Sequence, residues 1–251
     1  MDLGLKDKVA LVTGASRGIG AAIARQLAEE GCQVVICARG EVELRVLASA
    51  LAPAVVLPIA IDLLATAAAD ALLAQVLARF GRIDIVVNNL GGSREGTSDE
   101  AWSHTLDINL GTGVRVCRPA IAQMKSQRSG SIVFISSVAG TLPGGSKPQY
   151  NAAKAAEIMY ARTLAEQLAP FCIRVNAVSP GSILFAGGSW DKRQRETPEK
   201  IAAFVAESFP LQRFGTAQEV ARVVAFVASD AASLVTGANI AVDGGQLYPG
   251  I

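Results

Sequence analysis

Charge of one sign is what this sequence most clearly lacks. Lys and Arg total 23 against 22 Asp and Glu, a formal net charge of +1, and the basic residues are scattered through 251 positions. That leaves no field to hold nucleic acid or an anionic membrane surface. Long apolar runs are also missing: no stretch of about eighteen residues is apolar and free of charge, so no membrane span is expected. The first residues, Met1 to Asp7, are too polar for a signal peptide. Histidine is nearly absent. His104 stands alone beside Trp102, and no second ligand lies at zinc spacing, so neither a metal site nor a Ser-His-Asp triad is indicated. The four cysteines, Cys32, Cys37, Cys117 and Cys172, form no C-x-x-C pair, and each lies in or beside an apolar segment. They read as buried free thiols of a reducing, cytoplasmic environment. There are no repeats, low-complexity tracts or interdomain linkers.

What is present is apolar content: 51% hydrophobic residues over a length that suits one α/β domain. Residues 8–13 (KVALVT) form a short β-branched run, expected as a buried strand. Gly14-Ala15-Ser16-Arg17-Gly18-Ile19-Gly20 follows, and then a helical pattern to Glu30. Strand, glycine turn and helix in that order cradle a pyrophosphate, because glycines let the backbone approach and a helix N-terminus offers free N–H groups. A second strand, residues 33–38, ends at Ala38 and is followed by Arg39. An acidic residue usually stands there to hold a ribose 2′-hydroxyl. Two cations, Arg17 and Arg39, with no carboxylate fit a 2′-phosphate instead, so NADP is favoured over NAD; the other reading of Arg39 is a solvated loop charge.

The remainder alternates in the same way. Helical patterns cover residues 41–51, 66–80, 99–127, 201–207 and 217–229, and strands are expected over 54–60, 83–88, 131–135, 173–178 and 239–242. Alternation throughout implies a doubly wound parallel sheet of Rossmann type in a single domain. Asp62, just past the third strand, is placed to cap a helix or to accept from an adenine amino group. Asn109 stands in the middle of a long helical stretch, where asparagine commonly marks a kink or a polar network. Ser179-Pro180-Gly181 is expected to break the sixth strand. Residues 182–200 are the least regular, and 182–207 read as a mobile lid.

The chemistry concentrates at Tyr150-Asn151-Ala152-Ala153-Lys154. On a helix, positions i and i+4 share a face, so phenol and ammonium point the same way. A free phenol, with a pKa near ~10, is a poor base at neutral pH, and a neighbouring cation favours its ionised form. Such a tyrosine can give a proton to a carbonyl oxygen or take one from an alcohol. Ser136-Ser137 closes the strand that precedes it.

Taken together, Thr13-Gly14-x-x-x-Gly18-x-Gly20, Asp62, Asn88-Asn89-x-Gly91, Asn109, Ser137, Tyr150-x-x-x-Lys154, Pro180-Gly181 and the tail Val242-Asp243-Gly244-Gly245 resemble the classical short-chain dehydrogenase/reductase family, over almost the whole chain. The resemblance implies a seven-stranded parallel sheet and hydride transfer between a nicotinamide and a carbonyl/alcohol pair. It implies Tyr150 as general acid/base, Lys154 as its tuning cation and ribose contact, Ser137 as the substrate-oxygen partner, and Asn109 as the holder of a water leading to solvent. Gly14, Ser16, Arg17, Gly18, Ile19 and Gly20 would line the pyrophosphate, Arg39 the 2′-phosphate, Asp62 the adenine, and Asn89 and Gly91 the adenosine side. Pro180, Gly181 and Ile183 would back the nicotinamide. Two positions depart from the pattern: Leu90 replaces a small residue in N-N-A-G, and Phe185 stands where a cofactor-contacting threonine is common. The implied substrate is a small ketone or secondary alcohol, with 3-oxoacyl groups on a carrier protein, sugars, polyols and steroids left open. Arg128 fits a basic mouth for a carrier and Phe171 does not; Phe185, Trp190 and Leu142 would make the mouth apolar. The family implies a homotetramer, with the tail 247–251 placed to cover a neighbouring site.

Overall fold

The computed structural model describes residues 2–143 and 147–247. Its elements run β1 (Val9–Thr13), α1 (Gly18–Glu29), β2 (Gln33–Ala38), α2 (Glu41–Ala50), β3 (Val56–Ala60), α3 (Ala68–Phe80), β4 (Ile85–Asn88), α4 (Asp99–Leu106), α5 (Thr112–Gln127), β5 (Gly130–Ile135), α6 (Pro148–Leu168), β6 (Ile173–Pro180), β7 (Ile183–Leu184), α7 (Ser189–Glu196), α8 (Pro198–Ser208), β8 (Gly215–Thr216), α9 (Ala217–Ala228) and β9 (Asn239–Val242). Seven strands form one sheet in the order β3-β2-β1-β4-β5-β6-β9, and every pairing is parallel. This is the Rossmann-type doubly wound sheet that the alternation implied. The short β7 and β8 pair separately.

Strand periodicity sorts the core into two halves. Along β1, Val9 and Leu11 face the layer of α3, α5 and α6, whereas Ala10 and Val12 face that of α1 and α9. Both faces are covered, so the strands read as continuous apolar runs rather than alternating ones. Phe134 of β5 is fully buried and meets Tyr160 of α6 edge to face at 5.7 Å. A Cβ on Gly113 would come within 2.9 Å of the Phe134 ring, so that glycine sets how closely α5 approaches the sheet.

Three expectations are corrected here. The helix expected over 99–127 is interrupted: residues Asp107–Gly111 form a π-helical turn around Asn109. Asn109 Nδ2 donates to Thr105 O at 2.7 Å, and Thr112 Oγ1 to Ile108 O at 2.8 Å, so side chains satisfy carbonyls that the widened turn releases. Strand β6 does not stop at Val178 but continues through Ser179 and Pro180. β5 ends opposite Val178, so beyond it β6 has only β9 as a neighbour, and a proline is tolerated at such a one-sided position. Residues 182–200 are more regular than their composition suggests: α7 is a two-turn helix stapled by Arg195–Asp191 at 2.6 Å and Lys192–Glu196 at 3.7 Å. Among the described residues, no helix is long and apolar enough to cross a membrane. Of the tail expected to cover a neighbouring site, 248–251 lie outside the described residues.

Candidate active site

Parallel strands end along one edge, and the loops after β1, β2, β4 and β5 meet there around a cleft of about 760 Å³. β1 delivers the glycine turn. Thr13 Oγ1 accepts from Asn89 N at 3.0 Å and Leu90 N at 3.1 Å, while Asn89 Nδ2 donates to Thr13 O at 2.9 Å and Gly14 O at 3.1 Å. Asn89 therefore ties the turn to the end of β4. Gly14 and Gly18 sit at φ of +62° and +58°, a left-handed conformation that glycine adopts without strain. No side chain caps α1, whose first N–H groups are left for another acceptor. Gly14, Ser16, Arg17, Ile19 and Gly20 line the cleft, and its wall continues through Ala38, Arg39 and Asp62. Asp62 does not cap α3, which begins at Ala68; its Oδ1 accepts from Leu64 N at 3.1 Å and so holds a local turn. An uncapped helix end, a glycine-rich turn and two guanidinium groups fit an anionic dinucleotide.

The other end of the cleft is built by α6, which starts at Pro148, a residue preorganised for a first helical turn. Tyr150 and Lys154 line the cleft one turn apart, and Lys154 Nζ lies 5.7 Å from the centre of the Tyr150 ring. Lys154 is buried, with Nζ donating to Ile135 O at 2.9 Å and to Glu157 at 2.9 and 3.2 Å. Burial works against its charge, but the charges of Glu157 and Tyr150 and the bond to Glu157 prevail and hold its pKa above the ordinary lysine value. Burial pushes the Glu157 carboxyl the other way, above its ordinary value.

Ser136 lines the cleft and donates from Oγ to Lys154 O at 2.8 Å. Ser137 lies just beyond the wall, where its Oγ accepts from Ala139 N at 3.1 Å. Asn109 sits behind Gly92, donating to Gly92 O at 2.7 Å and accepting from Gly92 N at 3.2 Å. Gly91 separates Asn109 from Lys154. A Cβ there would stand 2.7 Å from Asn109 Oδ1 and 3.1 Å from Lys154 Nζ, so both polar atoms point at one spot.

Besides Ser137 and Asn109, four residues expected to hold the cofactor are not on the wall. Gly18 is covered by the Phe185 ring, which a Cβ on Gly18 would meet at 2.7 Å. Pro180 and Gly181 lie along β9, with Gly181 N donating to Val242 O at 3.0 Å. Ile183 is buried and paired with Gly215. Arg17 is bound to the same segment, its Nη1 donating to Gly187 O at 3.0 Å. Leu90, the bulky departure, packs against the core while lining the cleft.

Several residues were not singled out correctly from the sequence. His104, read as an ordinary helix residue, lines the cleft together with Ile108, one turn further on. Glu157 was missed, although an acid inside the apolar stripe Ala153, Ile158, Ala161 and Leu164 was a visible signal. Trp190 is not among the residues of the cleft wall. It stacks on Phe204 at 5.4 Å and joins Phe214 and Phe209 in an aromatic group beneath α7 and α8. Leu142 is likewise not on the wall. Arg128 precedes β5 at the opposite edge of the sheet from Tyr150 and donates to Pro170 O at 3.0 Å, so within one chain it does not flank the mouth. Cys32, Cys37 and Cys117 are buried and their thiols are pushed up to about 12 by burial, whereas Cys172 is exposed, contrary to expectation. It occupies a left-handed turn before β6, φ 59°, outside the apolar strand that follows. Among the described residues no three His, Cys, Asp or Glu side chains gather to hold a metal.

A family model described as Enoyl-(Acyl carrier protein) reductase matches residues 14–246. The chain is 36% identical to the 3-oxoacyl-[acyl-carrier-protein] reductase FabG of Escherichia coli strain K12 over 248 residues, 97% of this chain and 99% of the relative. It is 39% identical to the 3-oxoacyl-[acyl-carrier-protein] reductase of a Synechocystis strain, over 97% of this chain and 98% of the relative. The L-sorbose reductase of Gluconobacter frateurii, solved in complex with NADPH and L-sorbose, superposes with a TM-score of 0.93 at 33% identity, over 99% of both chains.

Proposed function

The chain belongs to the short-chain dehydrogenase/reductase family of oxidoreductases, and from that premise we propose that it reduces a ketone to a secondary alcohol with NADPH. The observation that carries this reading is one continuous cleft, leading from the glycine turn and Arg39 at one end to Tyr150 and Lys154 at the other. Bound NADPH would supply a hydride to the carbonyl carbon. Tyr150 would give its proton to the carbonyl oxygen, with Lys154 as the cation beside it and as a ribose contact. Ser137 would hold the same oxygen. Asn109 and Lys154 face one spot beside Gly91, which suits a water that refills the tyrosine proton. Backbone at Gly14, Ser16, Gly18, Ile19 and Gly20 would meet the pyrophosphate, Asp62, Asn89 and Gly91 the adenosine, and Pro180, Gly181 and Ile183 the nicotinamide. Residues 182–207 would act as a lid: Phe185 rests on Gly18, and Arg17 holds Gly187.

Ala38 and Arg39 favour NADPH, since a guanidinium rewards a 2′-phosphate and the end of β2 carries Ala38 where a carboxylate would hold a free 2′-hydroxyl. A free ketone is the favoured substrate, because Arg128 lies away from the mouth and Phe171 sits under Lys125, 4.5 Å from its Nζ. A carrier-bound 3-oxoacyl group is the second reading, favoured by the names of the relatives. One set of rates tests both: NADPH and NADH oxidation with small ketones and with a 3-oxoacyl pantetheine thioester, in wild type and Arg39→Ala. A preference for NADPH on the order of ten- to a hundredfold is expected, the size of one or two charged hydrogen bonds, and Arg39→Ala should lose most of it. Equal use of NADH would remove Arg39 from the site; turnover of the thioester alone would favour the carrier.

A cytoplasmic homotetramer is the assembly we favour. Met159 on α6 and Phe226 on α9 are exposed apolar residues on separate elements, as two kinds of subunit contact require. Light scattering should give four times the 26.0 kDa chain, and a monomer would refute it.

A further inference from the structure

Glu157 has no part in the reaction described so far, and its placement is unusual for an acid. It is 2% exposed on the inner face of α6, with both carboxylate oxygens on Lys154 Nζ, at 3.2 and 2.9 Å. Nζ also bonds Ile135 O on β5. An ammonium has three donors; the two oxygens of one carboxylate can share one of them, so Glu157 and Ile135 O leave a donor for the spot beside Gly91 that Nζ also faces. Lys154 is thus not a lone cation beside Tyr150 but half of an ion pair.

A buried ion pair is weak evidence for stability, since desolvating two charges costs about what their attraction returns. Leucine in place of Glu157 alone would leave the Lys154 cation buried without a partner, so the acid compensates that charge. The same carboxylate cancels part of the charge that Tyr150 feels. The surroundings leave few competitors. Tyr150 lies one turn before Lys154 on the same helix, Ser136 lies against the pair from the end of β5, and Asn109 faces Lys154 across Gly91. Among the described residues, the charged and titratable groups that act on the pair are Lys154, Glu157 and Tyr150 themselves.

We propose that Glu157 is a positioning residue that seats Lys154 and moderates its charge, so that the phenol's proton affinity is set by Tyr150, Lys154 and Glu157 together. This rests on the reading of Tyr150 as the acid of a ketone reductase. The direction follows from charge. A bare lysine cation favours the phenolate, and a carboxylate on that cation weakens the effect and keeps the phenol protonated to higher pH. Reduction needs the phenol and alcohol oxidation needs the phenolate, so Glu157 biases the site toward reduction at neutral pH and delays oxidation to alkaline pH.

The test uses Glu157→Gln, which keeps the shape and one of the two acceptors on Lys154 Nζ while removing the charge, with Glu157→Asp as the variant that restores the charge. The pH profiles of kcat are measured in both directions at saturating nucleotide. The tyrosinate absorbance of each full-length protein is titrated as well, with Tyr150→Phe subtracted to isolate Tyr150. In Glu157→Gln, the alkaline fall of reduction, the acid rise of oxidation and the tyrosinate titration should all move to lower pH, by about one unit; Glu157→Asp should return most of the way. A cooperative thermal transition in each variant verifies folding. If the tyrosinate titration stays at its wild-type pH in Glu157→Gln, Glu157 is only a structural partner of Lys154 and the proposal falls. If that titration moves while no ketone or alcohol is turned over, the tuning stands and it is the reductase reading that fails.

Discussion

Tyr150→Phe is expected to lower kcat for ketone reduction by about 10²- to 10⁴-fold, the usual contribution of a positioned general acid. The substitution removes one hydroxyl and leaves the ring that packs over Lys154, 5.7 Å from its Nζ. Folding should survive it, because the ring is half-buried at the cleft wall and the helix start depends on Pro148 and on Tyr150 N donating to Lys147 O at 3.0 Å, neither of which involves the hydroxyl. NADPH affinity should fall about tenfold at most, the worth of one neutral hydrogen bond to the ribose. Steady-state rates together with a nucleotide titration check both halves. Full turnover in Tyr150→Phe would transfer the proton to another group; His104, on the same cleft wall, is the first alternative.

The second large effect is expected at Gly20. A Cβ there would collide with Asn89 Nδ2 and would stand 2.5 Å from Gly14 O and 3.0 Å from Ala15 Cα. Two of those contacts are backbone of the turn and the third is the side chain that pins it, so nothing flexible can yield. Gly20→Ala should therefore push the turn off α1, at a cost of about 1–3 kcal/mol. The loss should appear mainly as NADPH affinity weakened on the order of ten- to a hundredfold. It should be accompanied by a lower thermal transition, because Gly20 is buried against the end of β1. Nucleotide fluorescence titration and thermal denaturation separate the two. Wild-type affinity in a folded Gly20→Ala protein would mean that the turn is not the phosphate cradle.

These two residues were legible in the sequence because their requirements are local. Tyr150 and Lys154 need only helical spacing, and Gly20 needs only a strand before it and a helix after it. The parallel character of the sheet was legible as well, since alternation of strand and helix implies it. Features that depend on distant partners were not. Asn109 signalled a kink or polar network, but not the π-helical form of the turn, which is held by Gly92, seventeen positions earlier. α7 buries none of its own residues, so it has no periodic signal to read; i,i+4 ion pairs and the Trp190–Phe204 stack sustain it. Phe185 was recognised as a departure, but its seat over Gly18 is set by how residues 182–188 return across the turn. Arg128 matched a basic pattern in sequence, but it precedes β5 and so lies at the edge of the sheet opposite the site, where it bonds Pro170 O.

The central claim is that this cleft carries a hydride from a nicotinamide to a carbonyl carbon while Tyr150 supplies the proton. The most direct measurement is reduction of a ketone with NADPH deuterated at the transferring position of C4, followed by mass spectrometry of the alcohol. Deuterium on the carbinol carbon, one label for each NADPH consumed, is the expected result, and it should disappear with Tyr150→Phe. Tight NADPH binding with no labelled alcohol from any ketone or 3-oxoacyl thioester would contradict the claim and leave a nucleotide-binding module in place of an enzyme.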